Sequence, residues 1–175
     1  TYTLELTVVG QGAVIKDPDQ ATYTYGTAVT LTAAPAEGWS FTGWSGACTG
    51  TGDCVVIMDG NKSVLATFTQ DTYTLGLTID GQGTVVKAPD QAAYAYGTAV
   101  TLTATPGEGW IFAGWDGACT GTGDCVVIMD SDKSVTATFT QNNEANVFKI
   151  STVLDIEPTR DSKDQSLITR NFSLC

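Results

Sequence analysis

The sequence predicts an all-β chain made of two tandem copies of one small domain. Three observations carry that expectation. Apolar and polar residues alternate at period two through most of the chain, the pattern of half-buried strands. Tyr2–Gln70 aligns without a gap on Tyr73–Gln141, with roughly three quarters of the positions identical. No window of a dozen residues carries the apolar stripe of a helix. The predicted division is repeat one at 1–71, repeat two at 72–141, and a linker with C-terminal extension at 142–175. Each repeat holds five to six short strands and is small enough to be marginally stable without a staple or a neighbour.

The elements of the first repeat are taken in chain order. In Tyr2–Val9 the alternation places Tyr2, Leu4, Leu6 and Val8 on one face and Thr3, Glu5 and Thr7 on the other. Gly10-Gln11-Gly12 is turn chemistry; no helix or Lys-Ser/Thr comes after it, so it is not a phosphate cradle. Val14 begins a second strand that Pro18 ends. The next run sets Tyr23 and Tyr25 on one face before Gly26 turns the chain. In the strand after that turn Val29, Leu31 and Ala33 point inward, Thr30 and Thr32 outward, and Pro35 stops it. Gly38–Trp44 alternates Trp39, Phe41 and Gly43 against Ser40 and Thr42. Val55–Met58 and Ser63–Thr69 then read as a hairpin joined by Asp59–Lys62.

The second copy checks which faces are buried. Glu5 becomes Gly76, Val9 becomes Asp80, Thr24 becomes Ala95 and Leu65 becomes Thr136, all at outward positions. Val8 becomes Ile79, a near volume-conserving change expected of an inward position. Ser40 becomes Ile111, an apolar residue on an outward face, which points to packing on the neighbouring repeat or the tail.

The features Tyr25-Gly26-Thr27, the Val-Thr-Leu-Thr-Ala run, Pro35, Gly38-Trp39, Phe41, Gly43-Trp44 and the closing Ser63–Phe68 strand resemble the divergent internalin-B-type repeat of bacterial secreted and surface proteins. The resemblance covers both repeats and not Asn142–Cys175. It implies a compact β module strung in tandem on exported proteins as a spacer or display element, with no catalytic residues to transfer. The arrangement it leaves open is β-grasp-like or a small sandwich.

Composition narrows the partners. The net charge is −11, and each repeat sets seven acids against two lysines, or −5. Arg160 and Arg170, the arginines of the chain, lie in the extension. Phosphate backbones need Lys or Arg to displace counterions, so neither nucleic acid nor an anionic membrane surface is an expected partner. An acidic surface favours solubility and weak self-association. No apolar stretch is long enough to span a bilayer as a helix, and membrane insertion is not expected. The sequence opens at Thr1 without methionine, which reads as a processed protein or an excised segment that has lost an export signal.

Four of the five cysteines form two C-x5-C pairs. Zinc knuckles space their ligands more closely and commonly add histidine, which this chain lacks. Local disulfides, Cys48–Cys54 and Cys119–Cys125, are the better reading and imply an oxidising, extracellular or cell-surface location. Cys175 is left over, to pair between molecules or to stand as a terminal thiol.

The remaining motifs each have a bland reading beside a functional one. Trp39, Phe41 and their copies suit a core that aliphatic residues alone would not fill. Trp44 and Trp115, with Tyr23 and Tyr94, are the residues to expect if the repeats stack sugars. Asp53, Asp59 and Asn61, with Asp124, Asp130 and Asp132, could offer oxygens to calcium, but their spacing is not that of an EF-hand loop and suits turns. Without histidine the Ser-His-Asp and Cys-His schemes are excluded, and a carboxylate pair such as Glu37 with Asp53 is the one catalytic option left. No catalytic role, metal or cofactor is expected. In the extension, 147–156 could form one strand that docks on a repeat, begins a further domain or pairs with another molecule. The expected function is a non-enzymatic spacer, display or adhesion segment joined to other domains of an exported protein. The alternatives are a pair of glycan- or cell-wall-binding modules, and a subunit of an extracellular polymer self-associating through its tail strand.

Overall fold

Period-two alternation with no helical stripe leaves each repeat one way to bury its apolar face, which is sheet against sheet. The computed structural model describes residues 1–142, and these contain strands and no helix. The extension's expected strand at 147–156 and Cys175 lie outside the described residues.

In repeat one, β1 (Leu4–Val9), β2 (Gly12–Asp17), β3 (Thr27–Pro35), β4 (Trp39–Gly46), β5 (Cys54–Met58) and β6 (Lys62–Gln70) form two three-stranded sheets, ordered β1-β6-β4 and β2-β3-β5. Repeat two opens with a short strand, β7 (Thr72–Tyr73). It then repeats the plan with β8 (Leu75–Asp80), β9 (Gly83–Ala88), β11 (Thr98–Pro106), β12 (Trp110–Gly117), β13 (Cys125–Met129) and β14 (Lys133–Gln141). Its sheets are β12-β14-β8 and β13-β11-β9, with β10 (Tyr94–Ala95) pairing with β7. Of the two options left open by the sequence, the structure is the small sandwich; a β-grasp needs a helix laid across its sheet.

The core of repeat one is the set that alternation selects from both sheets: Leu4, Val29, Leu31, Val56, Met58, Val64, Ala66 and Phe68, all buried. Repeat two buries the matching set around Val100, Met129 and Phe139. Phe41 and Trp39 are half-buried against this core.

Three readings are corrected. The Val55–Met58 and Ser63–Thr69 segments are not a hairpin, because β5 pairs with β3 while β6 pairs with β1 and β4. The Asp59–Asn61 link crosses from one sheet to the other. Alternation tells which side chains face inward, and in a sandwich both sheets face inward, so a crossing link and a hairpin share one pattern. Val8 and Ile79 are 40% and 43% exposed, so they are not core. They sit near the ends of their strands, where the inward face runs out. Tyr25 does not share the face of Tyr23: it is exposed, while Tyr23 is buried.

Tyr23 is in fact a keystone of the long β2–β3 connection. Its hydroxyl donates to the Pro18 carbonyl at 2.9 Å and accepts from the Gln20 amide at 3.3 Å. Tyr94 repeats this with Pro89 and Gln91. Tyr23 also pairs through its backbone with Tyr2 in both directions at 2.8 Å, which ties the connection to the start of the chain.

Candidate functional site

Each repeat carries a concave feature beside its disulfide loop. Cys48 and Cys54 are bonded, as are Cys119 and Cys125, each pair with Cα atoms 5.7 Å apart. Because β4 and β5 belong to opposite sheets, the staple closes a loop that spans the two layers.

The tryptophan before each loop is turned inward by a break in register. Between Phe41 and Gly43 the pairing of β4 with β6 shifts by one, so Thr42 is extra and Trp44 lands on the same side as Phe41. Gly43 takes a φ of +154°, near the extended limit, and its α-carbon faces the Gly50 carbonyl, where a side chain would crowd. Trp44 then packs its ring 4.8 Å from Phe41 and donates from Nε1 to the Gly52 carbonyl at 3.0 Å. Its backbone amide donates to the Gly50 carbonyl at 2.7 Å. Trp115 makes the same bonds to Gly123 and Gly121. The tryptophan is therefore the plug around which the stapled loop is wound.

Trp44 and Trp115 are 5% and 6% exposed, and Tyr23 and Tyr94 are 1% and 0% exposed. A sugar stacks on an open ring face, so the structure does not place a glycan platform on these four residues. What remains open is a shallow cleft of about 230 Å³ in repeat one, lined by Thr30–Ala33, Phe41, Trp44 and Thr51–Asp53. Repeat two has its equal of about 220 Å³. Both fall below the few hundred Å³ common for ligand pockets, and Asp53 or Asp124 supplies the one charge in each.

The two carboxylates named above as the remaining catalytic option sit in different features of the fold. Asp53 borders this cleft beside Cys54, which pairs with Leu31 in β3. Glu37 lies in the turn after β3 ends at Pro35, where its carboxylate accepts from the Tyr96 hydroxyl. The turn acids are engaged in holding the chain. Asn61 Oδ1 accepts from the Thr3 amide at 3.0 Å, and Asp132 Oδ1 accepts from the Thr74 amide at 2.7 Å and its hydroxyl at 2.9 Å. These bonds hold Asp132 below the usual carboxylate range. Asp59 and Asp130 are also lowered, each first by its hydrogen bond to the ammonium of Lys62 or Lys133.

The second candidate site is the joint between the repeats. One residue, Asp71, separates β6 from β7. Its amide donates to the Gly38 carbonyl and its carbonyl accepts from the Tyr96 amide, both at 2.9 Å, while Ser40 Oγ donates to its carboxylate at 2.6 Å. Tyr96 lies against the bare α-carbon of Gly38 and donates its hydroxyl to Glu37. That bond to a carboxylate raises the Tyr96 pKa above its ordinary value. Sequence reading missed this joint because Tyr25 and Tyr96 are the same residue in the two copies. The gap-free period was the available signal, since it leaves no room for a linker.

The profile of the divergent InlB B-repeat domain matches residues 2–72 and again 73–143. The chain belongs to the divergent InlB B-repeat family. The two matched copies meet at Asp71–Tyr73, so the boundary between InlB B-repeats is the joint just described. No curated protein and no solved structure matches the chain. Repeats of this family, together with local disulfides, are typical of extracellular bacterial proteins.

Proposed function

We propose that this tandem InlB B-repeat segment is a non-enzymatic, load-bearing spacer of a secreted or cell-surface bacterial protein. It holds neighbouring domains apart and keeps them apart under tension. The observation that carries this reading is the pairing of the first and last long strands of each repeat. β1 runs parallel to β6 over the six pairs from Leu4–Lys62 to Val9–Thr67, and β8 runs parallel to β14 over six more. A pull on the two ends of a repeat drags β1 toward its N-terminus and β6 toward its C-terminus. The two strands must then slide past each other, so their hydrogen bonds are loaded together and not one after another.

Two further features support it. The Thr3–Asn61 and Thr74–Asp132 bonds, with the Lys62 amide donating to the Thr3 carbonyl, fasten the point where pulling begins. The disulfides withhold their loops from extension, and they suit the oxidising surroundings of an exported protein.

Single-molecule stretching of the full chain from its two ends tests the proposal. Two separate force peaks are expected, each releasing about 200 Å of chain, with about 20 Å more per repeat after reduction. Extension with no resolvable peak in either repeat overturns the load-bearing role.

A further inference from the structure

The joint at Asp71 has two halves, and each half is present a second time in the other repeat. Tyr25 occupies in repeat one the place of Tyr96, and Glu108 and Gly109 occupy in repeat two the places of Glu37 and Gly38. We propose that these second halves dock a second copy of this chain head to tail, with Tyr25 of one copy seated at Glu108–Gly109 of the next.

The tyrosine half is ready for this. Tyr25 is 76% exposed, the most exposed large hydrophobic side chain among the described residues. Its ring stands 6.5 Å from Tyr2 at 58°, while docked Tyr96 stands 6.4 Å from Tyr73 at 60°. The ring already holds its docked posture, so little side-chain entropy is lost on binding. The acceptor half is equally formed. Gly109 has a φ of +76° against +71° for Gly38, so the turn is the same. Among the described residues, nothing lies within 4 Å of where a Cβ on Gly109 would stand, whereas the same point at Gly38 is filled by the Tyr96 ring. Ile111, half-exposed at the position of Ser40, adds apolar surface beside this slot.

The two halves face opposite ways along the chain, so the contact is heterologous and does not close on itself; it builds open rows. Within one chain Asp71 supplies the two halves at an effective concentration in the millimolar range, and between copies that help is missing. The net charge of −11 also opposes approach, though at physiological salt it is screened beyond about 8 Å. Association is therefore expected at high local density, as on a crowded surface, and not in dilute solution. The inference stands on the joint alone and does not depend on the load-bearing reading.

Sedimentation of the full chain up to about 1 mM at physiological salt tests it. The wild type is expected to grow past the dimer with concentration. Tyr25→Ala and Glu108→Lys, both at exposed sites, are each expected to stay monomeric with unchanged tryptophan fluorescence. Mixed together, they should form a dimer and stop there, because each supplies one intact half. A wild type that stays monomeric throughout overturns the proposal. So does growth that persists in either variant, which would assign association to another surface.

Discussion

Gly38 and Gly109 form a matched pair that isolates the joint between the repeats. Both have positive φ, so an alanine at either position bears the same left-handed backbone cost, about 1–2 kcal/mol in its own repeat. They differ in what the new methyl meets. At Gly109 no described atom lies within 4 Å, but at Gly38 the methyl would stand 2.7 Å from Tyr96 Cβ and closer still to Cγ and Cδ1. Those atoms are at the root of the side chain, so the ring cannot relieve the overlap by swinging its tip. Tyr96 must leave, taking with it the bond to Glu37 and the contact over Gly38. Gly38→Ala is therefore expected to lower the stability of repeat two by about 1 kcal/mol as well as that of its own repeat, within the usual range for contacting residues. Gly109→Ala should leave repeat one alone. Native-state hydrogen exchange reads the two repeats separately, and in a Tyr96→Ala background the effect of Gly38→Ala on repeat two should vanish. If the two alanine variants behave as mirror images, each confined to its own repeat, the joint transmits no stability and the reasoning fails.

Cys48→Ser opens a short loop and should lower the stability of repeat one by about 2 kcal/mol in the chain-entropy model, with repeat two largely unchanged; identical melting of wild type and variant would deny the staple a structural role. Tyr23→Phe leaves the Pro18 carbonyl and Gln20 amide without their shared partner and should cost about 1–2 kcal/mol in chemical denaturation. Tyr96 binds its proton more tightly in the folded chain than in the unfolded one. Its bond to Glu37 is thus complete below the ordinary tyrosine value of 10.0 and is lost as pH rises through the raised folded value. Absorbance titration of wild type against Glu37→Gln should show a late-ionising phenol that ionises earlier in the variant; no change in that variant would remove Glu37 as the cause.

Much of the fold was legible because two copies of a small alternating sequence check each other. β3 reads correctly residue by residue: Val29 and Leu31 are buried and Thr30 and Thr32 exposed. The disulfide pairing was legible from spacing and the lack of histidine. The relations that escaped are those alternation does not encode. The sheet to which a strand belongs is set by the path of its links, and the Asp59–Asn61 crossing looks locally like a hairpin. The extra residue at Thr42 reverses parity for the rest of β4, which is why Trp44 reads as a borderline surface ring and is core.

The parallel placement of β1 beside β6 also fixes where the polypeptide enters and leaves. It comes in at Leu4 beside Lys62 and departs past Gln70 beside Trp39, at the far end of the same sheet. Each duplication of the unit therefore adds one strand's length, on the order of 30 Å, to whatever lies beyond. A gene that gains or loses a copy changes reach in equal steps without redesigning any surface. Copies that keep the core and the turn at their shared boundary remain joinable, so such an array can be lengthened by recombination as a ruler is lengthened by whole divisions.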